Sequence, residues 1–273
     1  MDLLPIKYSP KEISAILLDF YTFLTTLHFD VRCLKTPPPE GWSGLDPFLN
    51  YTARSDEVGK VMKQIPYFDD KESVSWVHYK SRLIDYATLP QKDFPDIMDW
   101  KLDGDEKLWS NRRITFIDLD DFFPLALGNE TGGRHIWLNV RDGEITEEEN
   151  KFQSHEPVDI KEYLEGLKQA YINLDLIPCQ GRVTIEVPSH VNEVPEGKII
   201  TEEEVIAQEE EWETDLDIQY IKQLYRGFGW PNAFRKDEAF RAVDQLMEKL
   251  PEHRFYWEDD GVDHTYERET TNR

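Results

Sequence analysis

The chain has 273 residues, 39% hydrophobic and 12% aromatic, enough to bury a full core as one large domain or two small ones. Eight Trp and fourteen Phe exclude a disordered chain. A formal charge of −24 argues against nucleic acid and anionic membranes as partners and favours basic ones, because phosphate binding needs Lys and Arg where acid dominates here.

The opening "MDLLPIKYSPKE" has an early acid and a proline and no basic segment followed by a long apolar run, so no signal peptide is read there. In the next stretch Ser9 caps, Pro10 takes the first helical position and Glu12 completes a capping box. Ile13, Ile16, Leu17, Phe20, Phe23, Leu24 and Leu27 then recur at helical spacing. "KTPPPEGWSG" cannot continue a helix and reads as an extended connector. A short helix follows Ser55, with Val58, Val61, Met62 and Ile65 on one face and Pro66 at its end. "SVSWVHYKSRLIDYA" predicts one or two strands. "DFPDIMDWKLDGDEKLW" reads as a loop that offers Trp100 and Trp109 to the core. "RRITFIDLDDFFPLALGN" reads as strand, turn, strand, and "GGRHIWLNVRDGEIT" as a hairpin closed by a two-residue Asp142-Gly143 turn.

A helix from Asp159, with Glu162 at the box position, is expected to bury Tyr163, Leu164, Leu167, Tyr171 and Leu174. "GRVTIEVP" is a strand that Pro188 stops. The tract "TEEEVIAQEEEWETDLD" allows a brief helix capped by Thr201 and Glu204, but like charges weaken it, and an exposed insertion at about 193–217 is expected. Helices over Ile218–Phe228 and Arg235–Leu250 close the fold; Trp230 wedges between them and Asn232 caps the second. Residues 251–273 read as a polar, frayed tail. No internal repeat is present. The whole predicts a single α+β domain over residues 1–250, with a largely antiparallel central sheet flanked by helices.

Which residues carry chemistry? Gly132 and Gly133 lead into a strand, with no Lys-Ser/Thr after them, so a phosphate-binding loop is set aside in favour of a tight turn or bulge. In the strand that follows, Ile136, Leu138 and Val140 share the core face, and His135, Trp137 and Asn139 share the other. That second face is either a recognition surface or a covered layer in which His135 is structural. Asp118 and Asp120 lie on one side of a strand, with Asp121 next, and could join His135 in a carboxylate/His pocket. His28 and Asp30 have the spacing of a facial iron triad without a third ligand. Zinc, hydrolase-elbow and Cys-x-x-Cys patterns are absent, so no metal or other cofactor is expected. Cys33 and Cys179 are expected to be reduced and buried. No apolar run approaches the roughly 18 residues of a bilayer span, and a cytoplasmic location is expected.

"YTFLTTLHFD", "PPPEGW", "SDEVGKVMKQIPYF", "HYKSRLIDY" and "LYRGFGWPNAFRKDEAFRAV" together resemble a protein family of filamentous fungi, over about Leu18 to Leu250. That resemblance implies no particular activity. "GGRHIWLNVRDGEI" is similar to the central hairpin of the SUKH superfamily, which includes a regulator of cell-wall glucan synthesis and bacterial immunity proteins. This second likeness implies an α+β fold and protein binding without catalysis; the chain lacks the "LP…NGG" signature near its start. The expected function is therefore a non-enzymatic, acidic binding or regulatory module. His135, Trp137 and Asn139 would form one contact surface, and Glu202, Glu203, Glu209 and Glu210 would attract a basic protein. The alternative is an enzyme acting on a small molecule through Asp118, Asp120 and His135.

Overall fold

A computed structural model describes residues 5–49, 54–69, 76–90, 119–129, 132–149, 153–189, 191, 198–254 and 257–258. The readings on Trp100, Trp109 and Asp118 lie outside these residues. The chain divides into two compact units, residues 1–25 with 30–168, and residues 26–29 with 169–273.

In the first unit, helix α1 (Pro10–Leu27) begins as its sequence dictates. Ser9 Oγ accepts the Glu12 N–H at 3.3 Å, and Glu12 Oε2 accepts the Ser9 N–H at 2.8 Å. Ile13, Leu17, Phe20, Tyr21 and Leu24 are buried. A one-turn helix, α2 (Asp46–Leu49), precedes α3 (Asp56–Gln64). Ser55 caps α3 through the Val58 N–H, and Val58, Val61, Met62 and Ile65 are buried, as the spacing predicts. Strands β1 (Leu34–Lys35) and β2 (Tyr67–Phe68) pair beside it. Tyr67 donates to the Met62 carbonyl at 2.6 Å, and its ring leads through Tyr86 to Phe123 on the main sheet.

That sheet is antiparallel throughout: β3 (Trp76–His78), β4 (Ser81–Leu83), β5 (Phe122–Gly128), β6 (Arg134–Asn139) and β7 (Glu144–Glu149) in chain order. β8 (Gln153–Ser154) and β9 (Val158–Asp159) both pair with β7. The α+β class and the antiparallel sheet expected from the sequence are what the chain forms. The sheet curls strongly, since His78 on β3 comes within 4.0 Å of Glu147 on β7 although three strands separate them in the order.

Three local expectations differ in whole or in part. The β6–β7 connection is a four-residue loop, Val140–Gly143, with only Gly143 in the left-handed region (φ 66). Asn139 Oδ1 accepts the N–H groups of Arg141 and Asp142, which widens the loop beyond a two-residue turn. The glycines do sit in the β5–β6 turn, but the bulge falls inside β5, between Pro124 and Ala126. Asp120 and Asp121 are in a 3-10 turn (Leu119–Asp121) ahead of β5, where a strand was expected.

Helix α4 (Ile160–Asn173) buries Leu164 and Leu167, then Tyr171. In the second unit, β10 (Leu176–Cys179) and β11 (Arg182–Glu186) form a hairpin. Three helices follow: α5 (Glu202–Ile206), α6 (Asp215–Gly227) and α7 (Lys236–Lys249). Trp230 is wedged as expected, its Nε1–H donating to the carbonyls of Tyr171 and Ile172 at 3.0 and 3.2 Å. Its ring meets Tyr225 and Phe234. Arg235, and not Asn232, stands at the N-cap of α7. Arg254 and Trp257 are buried, so the chain stays in the packed unit past Leu250, where a frayed tail was expected. Among the described residues, no helix is long and apolar enough to cross a membrane.

Candidate functional site

The β6–β7 register builds the polar face that the strand alternation implies. His135 stands opposite Glu148, Trp137 opposite Thr146, and Asn139 opposite Glu144. All six are buried, none more than 5% exposed. Trp137 Nε1–H donates to Glu148 Oε2 at 3.1 Å, and His135 Nδ1 accepts the Gly128 N–H at 3.1 Å. Asn139 Nδ2 donates to Asp142 Oδ2 at 3.1 Å while its oxygen shapes the loop. The expectation of a recognition surface here is corrected: these side chains are pinned by hydrogen bonds and closed off from solvent, as buried polar groups must be. Burial pushes His135 down to about 4, so its imidazole is neutral near pH 7. With Nδ1 accepting, the proton sits on Nε2.

The carboxylate/His pocket is not assembled from the described residues. Asp120 is exposed, just before β5, and His135 lies by Gly128, at the far end of that strand. Six steps along a strand separate the two ends by about 20 Å. The buried carboxylate at this end is Asp121, which accepts from Arg141 of the β6–β7 loop and clamps it. His28 and Asp30 have local roles: His28 stacks near Phe29 and Tyr171, and Asp30 accepts the Arg32 N–H. Among the described residues, no three His, Cys, Asp or Glu side chains gather as a metal site. Cys33 and Cys179 are both buried, and no disulfide joins them.

A cluster that the sequence does not announce lies where the sheet curls on itself. Glu147 accepts from Arg134 Nη1 at 2.7 Å and from the Tyr163 hydroxyl of α4 at 3.3 Å, with His78 Nε2 at 4.0 Å. Burial pushes the Glu147 carboxyl up, and the neighbouring His78 and Arg134 more than reverse this. His78 is itself held neutral by burial, its pKa lowered to about 4, and its Nδ1 accepts the Tyr79 N–H at 2.8 Å. Arg134 is thus the cation that keeps Glu147 ionised at neutral pH. A histidine lowered in the folded state gives stability that is complete above its ordinary value of 6.5 and is lost as pH falls toward 4. At ~1.4 kcal/mol per unit, His78 should account for a loss of about 3 kcal/mol across that window. Urea titrations at pH 7, 5.5 and 4 should show this fall, and His78→Asn, which keeps an acceptor for the Tyr79 N–H, should reduce it by about half, the remainder belonging to His135, which burial lowers to about 4 as well. An equal fall in the variant would assign the loss to other groups.

The acidic tract, expected as an exposed insertion, is exposed only in part. From Glu202 to Asp217 there is no Lys or Arg. Thr201 and Glu204 form the predicted capping box, which holds Glu204 below the usual carboxylate range through the Thr201 N–H. Thr214 and Asp217 form a second box at the start of α6, three residues before the expected helix start. Its Thr-x-x-Asp pattern was readable in the sequence. Val205, Trp212 and Asp217 are buried. Glu203, Glu209, Glu210 and Glu211 are exposed, and none of them makes an ion pair among the described residues. Glu202 is half-buried and is held by Lys249 at 2.6 Å. The tract is therefore an anchored segment whose uncompensated carboxylates face water. No family model, curated protein or solved structure matches the chain.

Proposed function

We propose that the chain is a non-enzymatic, acidic binding module of the cytoplasm that captures a basic protein segment through the tract around Glu203 and Glu209–Glu211. One observation carries this: the tract is fixed at Val205, Trp212 and Asp217, yet four of its carboxylates are exposed and have no ion-pair partner among the described residues. A rigid array of like charge concentrates a cationic partner and orients it without first having to be ordered. Recognition moves away from His135, Trp137 and Asn139, because their side chains are enclosed. The SUKH-like hairpin belongs to the same proposal, as a likeness to protein-binding domains.

The test is association with an oligolysine peptide, measured by stopped flow at several salt concentrations. Changing Glu209, Glu210 and Glu211 to Gln should slow association about tenfold at low salt and flatten the salt dependence, as loss of electrostatic steering does. These side chains are exposed and outside the core, so the fold should be unaffected. An unchanged rate would remove the tract from recognition.

A further inference from the structure

The tract is held from beyond the last helix. Arg254 is 2% exposed, and its ion pair with Asp217 has no solvent access on either side chain. Its Nη2 donates to Asp217 Oδ2 at 2.8 Å and its Nη1 to the Val205 carbonyl at 2.7 Å, so one guanidinium ties α5 to the start of α6. Gln208 completes the network, donating to Asp217 Oδ1 at 2.8 Å and accepting from the Thr214 hydroxyl at 2.8 Å. Three residues on, Trp257 is 2% exposed and donates from Nε1 to the Val183 carbonyl at 2.7 Å. Its own carbonyl accepts from Arg182, and the Val183 N–H donates to Glu258 at 3.0 Å. The segment is thus moored to the β10–β11 hairpin on one side and to the acidic tract on the other.

We infer that Arg254, moored by Trp257, is a strap that holds the acidic tract in place, so that displacing it turns the tract from a fixed array into a loose one. The physical reason is asymmetry. A carboxylate as enclosed as Asp217 is tolerated only with a paired cation, and removing that cation leaves a buried charge uncompensated. Asp217 can regain solvent only by leaving its box with Thr214 and its bond to Gln208, and both of those define the tract. Tract order therefore depends on a residue 37 positions away in the chain. A free tract must be ordered at the moment of binding, which weakens capture. This consequence for capture rests on the function proposed above; the strap itself does not.

Hydrogen exchange on the full-length protein tests the strap directly. Arg254→Met keeps an apolar stem and removes both donors. Amides of 205–218 should then exchange about tenfold faster or more, while those of Ile221–Tyr225 in α6 and Val243–Met247 in α7 keep their protection, as local opening requires. Arg254→Lys should fall between, since an ammonium can answer Asp217 but lacks the fork that also reaches Val205. Unchanged tract exchange in Arg254→Met would overturn the proposal. So would equal loss of protection in α6 and α7, which would make Arg254 a support of the whole unit. Wild-type protein in low urea gives a readout that needs no variant: the Arg254 amide and the tract amides should lose protection together, and separate openings would also overturn it. Titration with oligolysine separates the two proposals. Several-fold weaker binding by Arg254→Met supports control of capture by the strap, and unchanged binding despite faster exchange overturns that control. If wild type does not bind oligolysine, the functional proposal fails and the exchange data still decide the strap.

Discussion

Trp137→Ala should lower the unfolding free energy by about 3–5 kcal/mol, the range for truncating a fully enclosed aromatic residue. Trp137 is 1% exposed and is among the largest fully buried side chains. Its removal opens a void in the sheet layer and takes a donor from the enclosed Glu148 carboxylate. Trp137→Phe is the milder change: it keeps a six-membered ring, leaves a smaller void and also loses the N–H, and should cost about 1–3 kcal/mol. Urea unfolding followed by far-ultraviolet circular dichroism gives both values. A loss below about 1 kcal/mol for the alanine variant would mean the site collapses freely or stands open to water, against its burial. A large loss also means that Trp137→Ala cannot serve as a folded variant for probing recognition. The tract carboxylates can.

Gly133→Ala should cost about 3 kcal/mol or more, at the upper end of overpacking effects. A Cβ there would lie 2.5 Å from the Asn129 carbonyl oxygen, 2.6 Å from the Asn129 nitrogen and 2.8 Å from the Lys80 carbonyl oxygen. All three are main-chain atoms, so no side chain can swing aside. Relief requires the turn to open so that residue 133 draws away from Asn129 and Lys80, which the Asn129 N–H bond to the Lys80 carbonyl at 2.7 Å holds together. Gly166→Ala is the matched control. It lies within α4 with nothing within 4 Å of the added carbon, and should stabilise by about 0.5–1 kcal/mol. Thermal or urea unfolding of the two variants should move in opposite directions. If Gly133→Ala were as benign as Gly166→Ala, the close approach of the turn would be wrong.

Much of the fold was legible in the residues. Ser9 with Glu12, Ser55 before Val58, and Thr201 with Glu204 announce helix starts because a cap joins groups two or three residues apart. Ile13, Leu17, Phe20 and Leu24 announce a buried stripe because helical spacing alone puts them on one side. The alternation of Ile136 and Leu138 with His135 and Trp137 likewise sets two faces of a strand. It could not say whether the polar face would meet water. A recognition surface and a covered layer were both compatible with the alternation, and packing with hydrogen bonds to Gly128, Glu148 and Asp142 made it the covered layer. The candidate site was misplaced for that reason. In the acidic tract Glu203, Glu209 and Glu210 are exposed, while Glu202 is half-buried against Lys249, Asp217 is enclosed, and the anchoring went unseen.

By itself, then, the sequence determined the longer helices, the run of strands at the centre of the chain, the α+β class and the sign of the charge, since each depends on neighbours a few residues apart or on composition. Tertiary structure alone decided that His78 would reach Glu147 across three intervening strands, that Asp120 and His135 would stand at opposite ends of β5, and that Arg254 would find Asp217. Those outcomes depend on the curl of the sheet and on which charged groups lose their water together. Desolvation is a property of the whole packed neighbourhood, and no local pattern of residues encodes it.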